Sequence, residues 1–217
     1  MGYKWNVKIA QRGYPIIATP VPWLGYVHLD GRRLWAFLAI CAALVALEIL
    51  GDDGRLLLRY ERELVAHGEW WRLVTAHLVH LGWTHLALNV MGLALMWALF
   101  YPDYSLRGWT LILACSLIAI DAAFFFIERD VRWYVGLSGI LHGVMAAGTI
   151  AYVRRREPGA WILVPFLSGK LLYEQLVGTM PYSLDSADGP VVVDAHLYGV
   201  LGAVIGVLAL RWRRQPL

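Results

Sequence analysis

Residues 135–153 read VGLSGILHGVMAAGTIAYV, nineteen consecutive positions without a formal charge. A helix needs about 20 apolar residues to cross the hydrocarbon core of a bilayer, so this run is long enough to do so. Its first third is unusual for such a segment. Gly136, Ser138, Gly139 and His142 place a hydroxyl and an imidazole on adjoining turns. Serine and glycine are common where membrane helices pack, so the stretch alone admits two readings: a packing motif or a nucleophile with its surroundings.

Five more runs share the apolar character, at 33–50, 84–101, 108–127, 159–179 and 191–210. Together the six account for roughly 110–120 residues of lipid-spanning helix. The bulk composition agrees: 59% of the 217 residues are hydrophobic, 16% are charged and 11 are Trp, and the mean hydropathy is +0.54. A soluble domain carries about 25% charged residues. The pattern predicts an all-α membrane protein with six transmembrane helices. Residues 1–32 form a cytoplasmic N-terminal segment, 33–210 a six-helix domain, and 211–217 a short basic cytoplasmic tail. No small-residue cleavage site follows the first run, which reads as a retained signal-anchor helix. Cys41 and Cys115 fall near the middles of two runs, where they serve as small apolar fillers rather than a disulfide framework.

Orientation follows from the positive residues of the flanking segments. With the N-terminus inside, the inner segments hold twelve Lys and Arg and the outer segments six. Both termini are therefore expected in the cytoplasm. The net charge of +3 follows this topology instead of forming one patch, so nucleic acid is not an expected partner.

Polar residues inside a membrane are costly and mark function by default. Here they fall in three clusters. GEWWRLVTAHLVHLGWTHLALNVMGL (68–93) leads into the second run and supplies His77, His80, His85 and Asn89. GLSGILHG (136–143) opens the fourth, and DAHLYGVLGAVIG (194–206) opens the sixth with His196. In the expected orientation, runs two, four and six all travel from outside to inside. At 1.5 Å rise per residue, His85, Ser138 and His196 then lie within roughly 10 Å of the outer ends of their helices. Packing residues scattered at random would not agree in depth and direction.

A serine hydroxyl is a poor nucleophile until a base takes its proton, and histidine is the usual base. A Ser–His pair without an acid is a workable variant of triad chemistry, provided something orients the imidazole. A developing oxyanion needs preorganised donors. His85 and Asn89, four residues apart and therefore on one helix face, offer an imidazole N–H and an amide. Gly136 and Gly139 around the serine, with Gly199 one turn after His196, allow the fourth and sixth helices to approach closely.

GLSG, a later AH-x-x-G and an upstream His-x-x-x-Asn, in this order and across residues 33–210, resemble the rhomboid family of intramembrane serine proteases. The resemblance implies a six-helix rhomboid-like bundle with Ser138 as nucleophile, His196 as base, and His85 and Asn89 binding the oxyanion. Trp71-Arg72 stands where many rhomboids carry a WR pair in the first outer loop. Two features depart from the usual pattern. His142 occupies the place of an aromatic residue against which the catalytic histidine stacks, and after His196 Gly199 pairs with Ala203 while Gly202 pairs with Gly206. The compact chain with GLSG-x-LHG looks like the rhombosortase branch. That branch is associated with cleavage of Gly-Gly-type C-terminal sorting tails in Gram-negative bacteria. The resemblance thus implies a membrane-anchored protein substrate with a transmembrane tail. It also implies a bacterial inner membrane location, and a site opening to the periplasmic side. The alternative is a general rhomboid protease of single-span substrates or a non-catalytic, client-binding relative. No cofactor is required by this chemistry.

The remaining polar residues leave choices open. His142 either contacts His196 or bonds a backbone carbonyl. His80 either orders its loop or a water near the oxyanion site. His77 reads as a structural loop residue, and His28 and His67 as solvated. Lys170 and Glu174, at i and i+4 in the fifth run, form either a structural ion pair or a substrate-recognition pair. Asp121 is left without a role beyond bonding across helices. A metal centre built from His77, His80, His85, His142 and His196 is the main rival chemistry, but no HExxH pattern or paired acidic motif supports it. A transporter is disfavoured because no inverted repeat is visible and the polar residues lie near one face.

Overall fold

The computed structural model describes residues 31–180 and 191–212. Most of the predicted segment 1–32, residues 213–217 of the predicted tail, and His28 lie outside this range. The described chain is mostly helical. Its elements are α1 (Gly31–Ile49), α2 (Gly51–Leu58), β1 (Tyr60–Glu61), α3 (Arg62–Ala66), α4 (Arg72–Thr75), α5 (Trp83–Phe100), a 3₁₀ turn (Tyr101–Asp103), α6 (Leu106–Phe126), β2 (Trp133–Tyr134), α7 (Ser138–Arg155), α8 (Ala160–Leu176) and α9 (Asp194–Trp212). Each of the six apolar runs overlaps one of the long helices, with ends that differ by up to three residues.

By length and composition, two segments are able to cross a membrane, Trp83–Asp103 and Leu106–Phe126. Leu34–Ile49 with Gly51–Leu58 is a third if the pair, bent by 110°, counts as one span. The other long helices fall short of that measure for identifiable reasons. Helix α7 is diluted by Ser, His, Thr and three glycines, and α8 carries Lys170 and Glu174. In α9, the apolar part is Asp194–Leu210.

Helix α7 is central, with ten of its residues buried. It packs against both α6 and α9, and the three helices meet one another at very short range because glycine removes the side chains that would separate them. A Cβ on Gly199 would sit 2.0 Å from the Gly139 carbonyl oxygen of α7, and one on Gly202 would sit 2.3 Å from the Cys115 carbonyl oxygen of α6. The Ser116 hydroxyl donates to the Gly199 carbonyl at 3.0 Å. Small residues thus admit backbone-to-backbone contact, the general means of tight helix association in lipid. Cys41 and Cys115 are half-buried free thiols.

The fourth run does not become helical at its start. Tyr134 is held in a two-stranded pairing with Tyr60, so the chain enters extended. It then turns at Gly136, whose φ of +124° disfavours any side chain. Ser138 is consequently the first residue of α7. The segment from α2 to α4 that supplies Tyr60 is pinned by two arginines, one buried and one half-buried. Arg72 is 3% exposed and donates to Glu69 (2.6 Å), the Leu56 carbonyl (2.9 Å) and the Arg59 carbonyl (2.8 Å). Arg62 donates to the carbonyls of Phe124 and Phe125 (2.9 Å), acceptors that the end of α6 leaves free, and to that of Glu128 (2.6 Å) just beyond the helix. The Gly136 N–H donates to the Ala76 carbonyl at 2.9 Å, fastening this segment to the turn before Ser138.

Candidate active site

The first residue of α7 and the third residue of α9 face each other. His196 Nε2 lies 3.1 Å from Ser138 Oγ, within reach for proton transfer. On the far side of the ring, His196 Nδ1 donates to Glu174 Oε2 of α8 at 3.0 Å. The other oxygen of Glu174 binds the Lys170 ammonium one turn earlier. A carboxylate only accepts, so the Nδ1 proton is fixed there and Nε2 turns its lone pair toward the serine hydroxyl. Glu174 and His196 are both 4% exposed. The sequence leaves Lys170 and Glu174 as either a structural ion pair or a substrate-recognition pair, and it assigns no acid to the imidazole. In the structure one carboxylate bonds both Lys170 and His196.

His142 lies flat on the imidazole of His196, ring centroids 3.9 Å apart with 21° between the planes. Its Nδ1–H donates to the Ser138 carbonyl at 2.7 Å. The two roles left open for His142 are therefore both filled, since it contacts His196 and bonds a backbone carbonyl.

His85, the third residue of α5, accepts the Leu81 N–H on Nδ1 at 3.2 Å. Its proton is thereby placed on Nε2, the nitrogen that faces the Gly136 turn. A Cβ on Gly136 would lie 2.9 Å from His85 Cε1 and 3.2 Å from Nε2, so glycine keeps this approach open. His85 and Ser138 line one small cavity of about 20 Å³ together with Trp133, Tyr134, Val135, Val191 and Val192. That is room for about one water-sized group. Asn89 donates one amide hydrogen to the His85 carbonyl at 3.0 Å and keeps the second. Both residues are buried on α5.

Tyr134 is not among the residues that the sequence singles out. Its hydroxyl donates to the Gly136 carbonyl at 2.7 Å. Burial raises its pKa above the usual phenol range, while the Gly139 N–H and the Ser138 side chain beside it pull the other way. The hydroxyl is therefore a protonated donor bracing the turn that presents Ser138.

Other sequence candidates find positions outside this cluster. His77 is buried, with Nε2 3.3 Å from Asp121 Oδ1, which accounts for both residues as a bond between the loop and α6. His80 is fully buried and meets His85 edge-on at 5.1 Å between centroids. Burial first, then His85 and Arg55, push its pKa down to about 3, so it stays neutral. His67 is exposed, with Nδ1 2.6 Å from the Glu63 carbonyl. The five-histidine cluster does not assemble. Among the described residues, the group close enough to share an ion is His142, Glu174 and His196, with ligating atoms within 4.8 Å. The bonds described above, to Ser138, Lys170 and between His196 and Glu174, already engage these side chains.

The Rhomboid domain family matches residues 67–213 of the chain. The chain is similar to YdcA of Bacillus subtilis (strain 168), which its name assigns to the rhomboid proteases. The two are 28% identical over 141 residues, covering 65% of this chain and 67% of YdcA. It is also similar to the rhomboid protease GluP of the same organism, 27% identical over 162 residues. That match covers 69% of this chain and only 28% of GluP.

Proposed function

The chain belongs to the rhomboid family, and from that premise we propose that it is a serine-type intramembrane endopeptidase with Ser138 as nucleophile and His196 as general base. The observation that carries this reading is the 3.1 Å approach of His196 Nε2 to Ser138 Oγ, beside a cavity that a carbonyl oxygen can enter. Ser138 Oγ adds to the carbonyl carbon of the scissile peptide bond while its proton passes to His196 Nε2. The oxyanion forms beside the small cavity, with the His85 Nε2–H and the backbone N–H at the start of α7 as donors and the second amide hydrogen of Asn89, one turn further along α5, as a third. His196 then gives the proton to the leaving amine. Water or another small nucleophile resolves the acyl-enzyme by the reverse proton path. No metal or organic cofactor takes part.

Six transmembrane helices, both termini in the cytoplasm and a site opening outward, to the periplasm of a bacterium, complete the proposal. The support is the distribution of Lys and Arg and the common depth of Ser138, His196 and His85. For the substrate we infer membrane-anchored proteins with a C-terminal transmembrane tail, of the Gly-Gly type handled by rhombosortases. This rests on the GLSG-x-LHG pattern.

Labelling of the detergent-solubilised protein with a fluorophosphonate probe tests the chemistry. Wild type is expected to label and Ser138→Ala to remain unlabelled; equal labelling of the two overturns the assignment. Co-expression with a secreted reporter carrying a Gly-Gly-type tail tests the substrate. An uncut tail beside a cleaved generic single-span reporter returns the protein to general rhomboid activity.

A further inference from the structure

We propose that Glu174 completes a catalytic triad with Ser138 and His196, acting as the positioning residue of the base, with Lys170 holding its carboxylate in place. The inference rests on the serine protease reading above and deepens it. That reading requires only a serine and a histidine, and something must then orient the imidazole.

The geometry points to Glu174 on three counts. The first is alignment: the carboxylate oxygen, the two ring nitrogens and the serine oxygen form one chain, 3.0 Å on the acid side and 3.1 Å on the serine side. The second is division of labour within the carboxylate. A Lys–Glu pair at i,i+4 that served only to neutralise itself would have no reason to hand one oxygen to another helix. Here Oε1 goes to Lys170 and Oε2 to His196. The third is burial. Glu174 is 4% exposed, and a buried carboxylate is retained only when its lone pairs are met by charged or strong donors. Lys170 supplies the full charge and the imidazole N–H supplies the second donor.

The arrangement has a chemical consequence at each proton transfer. In the resting state a neutral imidazole can carry its proton on either nitrogen, and only the Nδ1–H form can accept from Ser138. The Glu174 carboxylate selects that form. When Ser138 Oγ bonds to the scissile carbon, its proton moves to Nε2 and the ring becomes an imidazolium. Glu174 stabilises that cation without taking the Nδ1 proton. The Nε2 proton then leaves with the amine, and the ring returns to its starting tautomer. The three residues sit on three helices, α7, α9 and α8, so the base is oriented by an element that contributes neither nucleophile nor base. His142 restricts the remaining freedom by stacking on the same ring.

Saturation kinetics of a fluorophosphonate probe on the purified full-length protein separate this proposal from a structural ion pair. Glu174→Gln is isosteric and removes the charge. Its maximal inactivation rate constant is expected to fall roughly 10²–10⁴-fold, as for a triad deprived of its acid. The half-saturating probe concentration should stay within about threefold, the signature of an interaction made only in the transition state. Glu174→Asp should recover part of the rate. The double variant Lys170→Met/Glu174→Leu removes both partners and leaves no unpaired buried charge. It is expected to keep a cooperative melting transition and to be as slow as Glu174→Gln, and it decides the matter if the single variant does not fold. A rate within about threefold of wild type in either folded variant overturns the triad and leaves a Ser–His dyad in place. Failure of the wild type itself to label at Ser138 is the separate result that overturns the underlying protease reading.

Discussion

The imidazole of His142 is stacked on that of His196 at 3.9 Å between centroids, and its own Nδ1–H is tied to the carbonyl of Ser138. One side chain therefore touches both members of the Ser–His pair without entering the proton path. The physical work of that contact is to fix the plane of the base, because the bond to Ser138 holds the His142 ring flat against its neighbour.

If plane-fixing is what matters, a flat ring at this position is required and a proton is not. His142→Phe is expected to keep labelling by a fluorophosphonate probe within about threefold, since ring stacking persists at about 0.5–1.5 kcal/mol. His142→Ala leaves a gap beside the base and is expected to slow labelling roughly tenfold or more. Equal rates for the two variants would show that stacking is irrelevant.

The close approach of α7 and α9 gives a second expectation. A methyl group at residue 199 would overlap the Gly139 carbonyl oxygen at 2.0 Å, and both partners are backbone that cannot swing aside. Gly199→Ala must push α9 off α7, which lengthens the Ser138–His196 contact carried by the same two helices. Labelling is expected to fall by more than about tenfold, with a loss of thermal stability in the range of about 1–3 kcal/mol for overpacking. Gly169→Ala is the control, because a Cβ there meets nothing within 4 Å. Differential scanning fluorimetry and probe labelling of the two variants check the contrast.

The contrast between local and long-range signals explains which parts of this architecture are legible in the sequence. The membrane class, the six long helices and the candidate residues Ser138, His196, His85 and Asn89 all announce themselves locally, through uncharged runs and short motifs near helix starts. Glu174 does not. Its nearest sequence partner is Lys170, which already satisfies it on paper, and its bond to His196 exists only because α8 packs beside α9. Tyr134 and the extended entry to α7 are hidden for the same reason. The residue that holds Tyr134 in place is Tyr60, far away in the chain. Asp121 likewise has no role until His77 is brought to it.

Acid should weaken the fold through His80. Its folded pKa of about 3 lies below the unfolded value of about 6.5. The unfolded chain therefore binds the extra proton first, and stability is lost as pH falls below about 6.5, levelling off only near pH 3. The slope is at most about 1.4 kcal/mol per pH unit for one proton. Melting temperatures of the wild type are expected to drop more steeply between pH 7 and pH 4.5 than those of His80→Phe, whose ring can meet His85 without titrating. Parallel curves for the two proteins would remove His80 as the cause.

The oxyanion donors on α5 make the last expectation. His85 has its proton directed to Nε2 by the Leu81 N–H that occupies Nδ1, and Asn89 keeps one amide hydrogen after serving the His85 carbonyl. If both reach the tetrahedral intermediate, removing either should leave binding alone and slow bond formation, because the interaction strengthens only as negative charge develops. His85→Ala and Asn89→Ala are each expected to lower the maximal probe inactivation rate by roughly 10²–10³-fold. Gly136→Ala should be as damaging by a different route. Its added methyl falls 2.9 Å from His85 Cε1, on a backbone already at φ +124°, and so displaces the donor it cannot replace. An Asn89→Ala variant with wild-type rates would assign the oxyanion to His85 and the α7 backbone without Asn89.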